Sequence, residues 1–222
     1  MVLVEPLTMS ISCSDHKLMA WLSPAYPIGA YSFSHGLEEA IASQIVTGKK
    51  SFFDWLFQIL HFGSGRNEVI FVSIAYRSTY KELSALAEIV KSFAGTKERY
   101  TETLEQGLAF SKVTSAVFKR EIPSVPLPVA VGYAAQIENI KLDKLLPLYL
   151  HSFAANLISA AVRFLPLGQT EGQIILSRLF KDFEKIGNQA RYMKIDNLET
   201  SCILNDIGSM RHEIMKTRIF KS

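Results

Sequence analysis

Cysteine is nearly absent. The 222 residues contain only Cys13 and Cys202, with no CxxC pair. That argues against a disulfide framework and for a reducing, cytoplasmic setting. Charge of one sign is equally scarce. Twenty-four Lys and Arg against 21 Asp and Glu leave a net charge of +3, with both signs mixed along the chain. A nucleic-acid binder gathers its basic residues on one face or stripe, so no nucleic-acid partner is expected. The first residues lack a basic stretch followed by an apolar run, and no signal peptide is expected.

Motifs for chemistry are missing too. A phosphate-binding loop needs GxxxxGK[ST], and the nearest fragment, Gly48-Lys49-Lys50-Ser51, lacks the earlier glycine. Gly63-Ser64-Gly65 is too little for a dinucleotide fold. His16, His35, His61, His151 and His212 are dispersed and form neither HExxH nor HxH. No GxSxG elbow occurs, and Ser34 beside His35 reads as a helix cap. No catalytic residue, metal ligand or cofactor is therefore assigned.

What is present is apolar and helical. Hydrophobic residues make up 48% and charged residues 20%, the balance of a globular chain with a sizeable core. Leu145–Val162 carries no charge, yet Pro147, His151, Ser152, Asn156 and Ser159 interrupt it. A spanning helix wants about 20 predominantly apolar residues. The stretch reads as the buried central helix of a bundle, and no membrane association is expected.

Helical periodicity predicts helices over Asp15–Leu22, Ser34–Val46, Ser51–Phe62, Asn67–Tyr76, Lys81–Phe93 and Lys97–Phe118. Further helices follow over Val129–Ile137, Asp143–Phe164 and Thr170–Tyr192. Tyr100, Leu104, Leu108 and Val113 fall near one side of the longest central segment. Ser51 with Asp54, and Thr170 with Gln173, have capping-box spacing, and Pro147 suits a first turn. Pro123, Pro126 and Pro128 make Ile122–Pro128 an extended connection within one domain. No repeat, low-complexity block or alternating strand pattern appears. The expected fold is all-α: a single-domain bundle, residues 1–222, of about eight to ten helices around a buried central one. Residues 194–222 are more polar and are expected to be ordered by a partner.

Three stretches stand out. In Trp21–Ile41, WLSPAYPIGAYSFSHGLEEAI, prolines, glycines and aromatics crowd a turn that feeds a helix, with Gly29 and Gly36 freeing the backbone. Val162–Gln173, VRFLPLGQTEGQ, is a second junction, and SMRHE, Ser209–Glu213, lies in the polar tail. These stretches resemble the UreF family of urease accessory proteins. Its pattern SPxxPxGxxxxSxGLE is met by Ser23, Pro24, Pro27, Gly29, Ser34, Gly36, Leu37 and Glu38. PLGQTxGQ is met by Pro166 to Thr170 with Gly172 and Gln173, and SMRHE is followed by Arg218 and Phe220. Many members read FSYSHGLE where this chain has Tyr31-Ser32-Phe33-Ser34, a phenol two places earlier.

The resemblance implies an all-helical, non-catalytic scaffold that dimerises. It implies binding to the accessory protein UreD/UreH, recruitment of the nickel-carrying GTPase UreG, and docking on apo-urease. Residues expected at partner surfaces are Tyr31, Ser34, His35, Glu38, Gly168, Gln169 and Thr170, and in the tail Ser209, Met210, Arg211, His212, Glu213 and Arg218. A small helical enzyme with an unrecognised site is the alternative.

Overall fold

A computed structural model describes residues 11–199 and 201–222; the signal-peptide expectation falls on residues outside them. Among the described residues the chain forms eleven α-helices, three 3-10 turns and no strand. The helices are α1 (Cys13–Trp21), α2 (Leu37–Ala42), α3 (Lys49–Phe62), α4 (Ser64–Arg77), α5 (Leu83–Ser92) and α6 (Lys97–Phe118). They continue as α7 (Leu127–Ile137), α8 (Leu142–Phe164), α9 (Gln169–Arg178), α10 (Phe180–Ala190) and α11 (Ile203–His212).

The bundle is built around α4, α7 and α8. Gly132 of α7 lies so close to α4 that a Cβ there would come within 2.3 Å of the Val72 carbonyl. Helix α8 packs against α4, α10, α9, α2 and α3. It buries Leu145, Leu146, Tyr149, Leu150, Ala154, Leu157 and Ile158. It is the one described helix long and apolar enough to cross a membrane. In the bundle it is the expected central core helix. Trp21 anchors α1 to α6, edge-on to Phe110 at 5.4 Å.

Local expectations differ from the structure where a nearby group offers the backbone a better partner. Helix α1 starts at Cys13 rather than Asp15, because Ser12 caps it and forms a reciprocal box with Asp15. Ser51 is the third residue of α3, not its cap, and accepts from the Thr47 and Gly48 N–H groups, while Asp54 pairs with Lys50. Pro147 sits inside α8, in its second turn rather than its first, the helix starting at Leu142. The helix expected over 170–192 is two helices, broken at the buried Leu179, and Glu171 rather than Gln173 reaches back to the Gly168 N–H.

The largest reversal concerns α6. Tyr100 and Leu108, on its expected apolar side, are 42% and 56% exposed. Its buried side instead carries Glu98, Arg99, Glu102, Thr103, Gln106, Ser111 and Thr114. A helix with polar residues inside needs partners for each of them. Glu68 of α4 serves Arg99, His212 of α11 and Arg218 serve Glu98, Ser222 serves Glu102, the Pro123 carbonyl serves Ser111 and Tyr26 serves Thr114.

Candidate functional site

The first and third sequence motifs meet over the N-terminal half of α6. The chain leaves Gly29 (φ +75°), makes a 3-10 turn over Ala30–Ser32, then reverses through His35 (φ +61°) and Gly36 (φ +80°). A left-handed conformation costs little at glycine but is strained at histidine. Gly36 also lets α11 approach, since a Cβ there would sit 3.3 Å from the Ser209 backbone nitrogen. The reversal turns Ser34, His35 and Glu38 inward, and all three are buried.

Residues after α11 fold back along this turn. The Ser34 N–H donates to the Ser222 carbonyl at 2.7 Å, and the Lys221 N–H donates to the Ser32 carbonyl at 2.8 Å. Ser34 Oγ donates to the same Ser222 carbonyl. Phe220 is buried against Phe164, at a ring separation of 5.2 Å. The tail therefore packs on its own chain despite its polarity, because hydrogen bonds take up its polar groups.

Two ionic clusters lie beneath it. In the first, His212 is fully buried between Glu38 and Glu98. Its Nε2 is 3.1 Å from Glu38, and its Nδ1 is 2.9 Å from both Glu98 oxygens. Arg218 donates to Glu98 at 2.9 Å. Glu38 also accepts from the Ile219 N–H at 2.9 Å and the Phe220 N–H at 3.0 Å. In the second, buried Arg99 donates to Glu68 at 2.7 Å and to Glu102, while Tyr149 donates to Glu68 at 2.6 Å. Ser222 Oγ donates to Glu102 at 3.2 Å, joining tail to cluster.

Burial and charge set the proton balance of the second cluster. Burial alone would raise the Glu102 carboxyl, but the Arg99 charge, helped by His35, outweighs it and holds the pKa at about 2. Burial lowers the His35 pKa and Arg99 lowers it further, so the ring is neutral and hydrogen-bonds Ser64. Burial pushes the Tyr149 phenol well above its usual value, and the Glu68 charge adds to the rise. A cavity of about 60 Å³ opens beside this cluster, lined in part by His35, Ser64, Glu68, Arg99, Asn205 and Asp206. Sites for small-molecule ligands run to roughly 300–1,000 Å³. This one is nearer the size of about two water molecules. Among the described residues no three His, Cys, Asp or Glu side chains converge as a metal site.

The sequence-predicted residues divide by depth. Ser34, His35, Glu38, Ser209 and His212 are buried, and their polar groups are directed within the chain, Ser209 to Thr96 at 2.9 Å. Glu213 is half-buried and accepts from the Lys97 N–H at 3.0 Å. Tyr31, Met210, Arg211 and Arg218 are exposed, Tyr31 by 67%. Gly168, Gln169 and Thr170 are exposed on a separate turn and make no bond to the other two motifs.

Sequence reasoning missed Glu68, Glu98, Arg99, Glu102 and Tyr149. The polar repeat at 98, 102 and 106, with helical spacing, was the signal that α6 turns this face inward. It also missed the outward face of α11. There Ile203, Ile207 and Met210 follow one another at helical spacing, Ile214 continues the spacing in the turn after the helix, and all four are exposed, Ile203 by 64% and Ile214 by 83%. The inward face carries Gly208, Ser209 and His212. Like α6, α11 hides polar groups and presents apolar ones.

Comparison with known proteins gives one answer. The family profile described as UreF matches residues 46–180. A urease accessory protein UreF of Cereibacter sphaeroides is 45% identical over 205 residues, covering 92% of this chain and 97% of that protein. The urease accessory protein UreF of Roseobacter denitrificans is 40% identical, covering 92% of each chain. That of Rhodopseudomonas palustris is 35% identical, covering 98% of this chain and 96% of its own.

Proposed function

From the premise that this chain belongs to the UreF family of urease accessory proteins, we propose that it is a non-catalytic scaffold in urease maturation. It binds UreD/UreH, recruits the GTPase UreG, and with them docks on apo-urease so that nickel reaches the metallocentre. It works as a homodimer in the cytoplasm, with no cofactor of its own.

The observation that carries this reading is the outward face of α11. Ile203, Ile207 and Met210, with Ile214 two residues past the helix end, form an apolar stripe that the described residues leave uncovered. Contiguous exposed apolar surface of this kind marks a docking site. Arg211, next to Met210 in the chain, is exposed, and Arg suits bidentate binding of a partner's carboxylates. UreD/UreH is the partner assigned to this face. Partner binding is further expected to stabilise segment 194–222 in its docked place.

The buried motif residues then have a supporting role. Ser34, His35, Glu38, Ser209 and His212 hold α11 and the tail so that the outward residues are presented. Tyr31 and the Gly168–Thr170 turn are assigned to the second copy or to the GTPase.

The test is size-exclusion chromatography with UreD/UreH and UreG, comparing the full chain with one ending at Lys194. The full chain should form the complex of three proteins and the shortened chain should not. If the full chain binds neither partner, the scaffold reading fails.

A further inference from the structure

We propose that docking of the tail takes up one proton at the His212 cluster, which makes the tail a latch that loosens as pH rises. The latch is intramolecular; only its use in gating partner binding rests on the scaffold reading above.

The inference comes from counting protons. Ionised carboxylates only accept hydrogen bonds, and a neutral imidazole owns a single N–H. Yet both ring nitrogens of His212 lie against carboxylates, Nε2 at 3.1 Å from Glu38 and Nδ1 at 2.9 Å from Glu98. Two such contacts need two protons, one more than a neutral ring and two ionised carboxylates possess. Both contacts run from ring nitrogens to carboxylates, so the extra proton sits on the ring, held as an imidazolium between Glu38 and Glu98.

The surroundings require that proton. Helix α2 presents Glu38 and also Glu39, whose nearest cation is Arg211 at 3.9 Å. Helix α6 presents Glu98, with Arg99 and Glu102 paired to each other further along. From α11 and beyond, Arg218 reaches Glu98, and Glu213 is turned to the Lys97 N–H. Among the charged side chains of the described residues, Glu38, Glu98 and Arg218 alone bond into the His212 cluster. Two carboxylates against one guanidinium leave a net negative charge, which the His212 proton cancels. A buried uncompensated charge is strongly unfavourable.

The same carboxylate couples the proton to the chain. Glu38 accepts from His212 and from the Ile219 and Phe220 N–H groups. Removing the proton points a ring lone pair at a carboxylate, at the point where the tail backbone is held. In an opened tail the ring is solvated, and a free imidazole holds its proton only below about 6.5. Below that range both states hold the proton and docking is insensitive to pH. Above it, docking must draw the proton from water. The opening equilibrium then rises by up to about tenfold per pH unit.

Hydrogen exchange of the full chain tests this, with rates corrected for intrinsic exchange, between about pH 6 and about pH 8.5. The Ile219 and Phe220 amides should open more as pH rises, towards about tenfold per unit, while the α8 amides stay unchanged. A flat profile at Ile219 and Phe220 overturns the proposal. His212→Gln should open the tail at every pH and abolish the slope; a slope that persists in this variant also overturns it. Should the variant not fold, ring nitrogen NMR of the unaltered chain decides. At about pH 8 His212 should keep both nitrogens protonated, and a single protonated nitrogen on His212 refutes the latch. Partner binding measured at about pH 6.5 reports on the scaffold reading alone, so either idea can fail without the other.

Discussion

The molecule has two interiors of opposite chemistry. Where α4, α7 and α8 meet, the buried side chains are Val69, Ile70, Val72, Ala130, Ala134, Leu146 and Leu150, and shape alone decides the fit. Beneath α11 and the tail, the buried side chains are Glu38, Glu98, Arg99, Glu102, Thr96, Ser209 and His212. Apolar contact is tolerant of direction, whereas hydrogen bonds and ion pairs are not. The first interior supplies the stability of the bundle. The second adds little net energy, since burying charge costs about as much as pairing it returns, but it admits few alternative placements of the tail. The proposed partner face lies on the far side of that second interior. Its placement is therefore set by polar contacts, while its own surface is apolar.

Substitutions in the two interiors should behave differently. Phe52 is fully buried in the apolar core. Phe52→Ala should cost about 3–5 kcal/mol of global stability, read as a lower denaturant midpoint with the tail and the body unfolding together. Glu38→Gln should cost less, about 3 kcal/mol, and locally. Protection of the Ile219 and Phe220 amides should vanish while that of α8 remains. If Glu38→Gln instead lowers protection everywhere equally, the division into two interiors is wrong.

Acid should separate them as well. Glu102 has its pKa lowered from 4.5 to about 2, so its ionised form contributes stability that is complete above about 4.5. That contribution is lost as pH falls towards about 2. Melting temperature should drop across this window, and Glu102→Gln should flatten the Glu102 part of the drop. The smallest effect on stability is expected at Tyr31, which is 67% exposed. Tyr31→Ala should change stability by no more than about 0.5 kcal/mol while weakening UreG recruitment in a pull-down. Unfolding of that variant would assign Tyr31 a structural role.

The apolar interior was legible in the sequence because helical periodicity reports burial directly. The long apolar segment became α8 as expected, and the break at Pro166 and Gly168 separates α8 from α9. The polar interior was hidden by the same rule. In α6 the periodic apolar residues Tyr100 and Leu108 face outward, and the polar repeat faces inward to partners more than 100 residues away, His212 and Arg218 among them. Such pairings leave no local trace. SMRHE and GLE could be seen as unusual separately, but that His212 would sit against Glu38 follows only from the crossing of α2 and α11. The cap assignments failed for a smaller reason: Ser51 and Glu171 compete with neighbours of the same chemistry two or three residues away, and spacing alone does not choose between them.

The central claim is that the inward face of α11 docks the tail while its outward face binds the partner. Titration of UreD/UreH onto the chain carrying Ile207→Asp and Met210→Asp tests this most directly, with melting temperature measured alongside. Both residues are exposed, so the melting temperature should stay within a few degrees of the unaltered chain. Affinity should fall at least about tenfold, since two charges would enter a desolvated apolar contact. Undiminished affinity in a variant that melts normally would contradict the account and move the partner site away from α11.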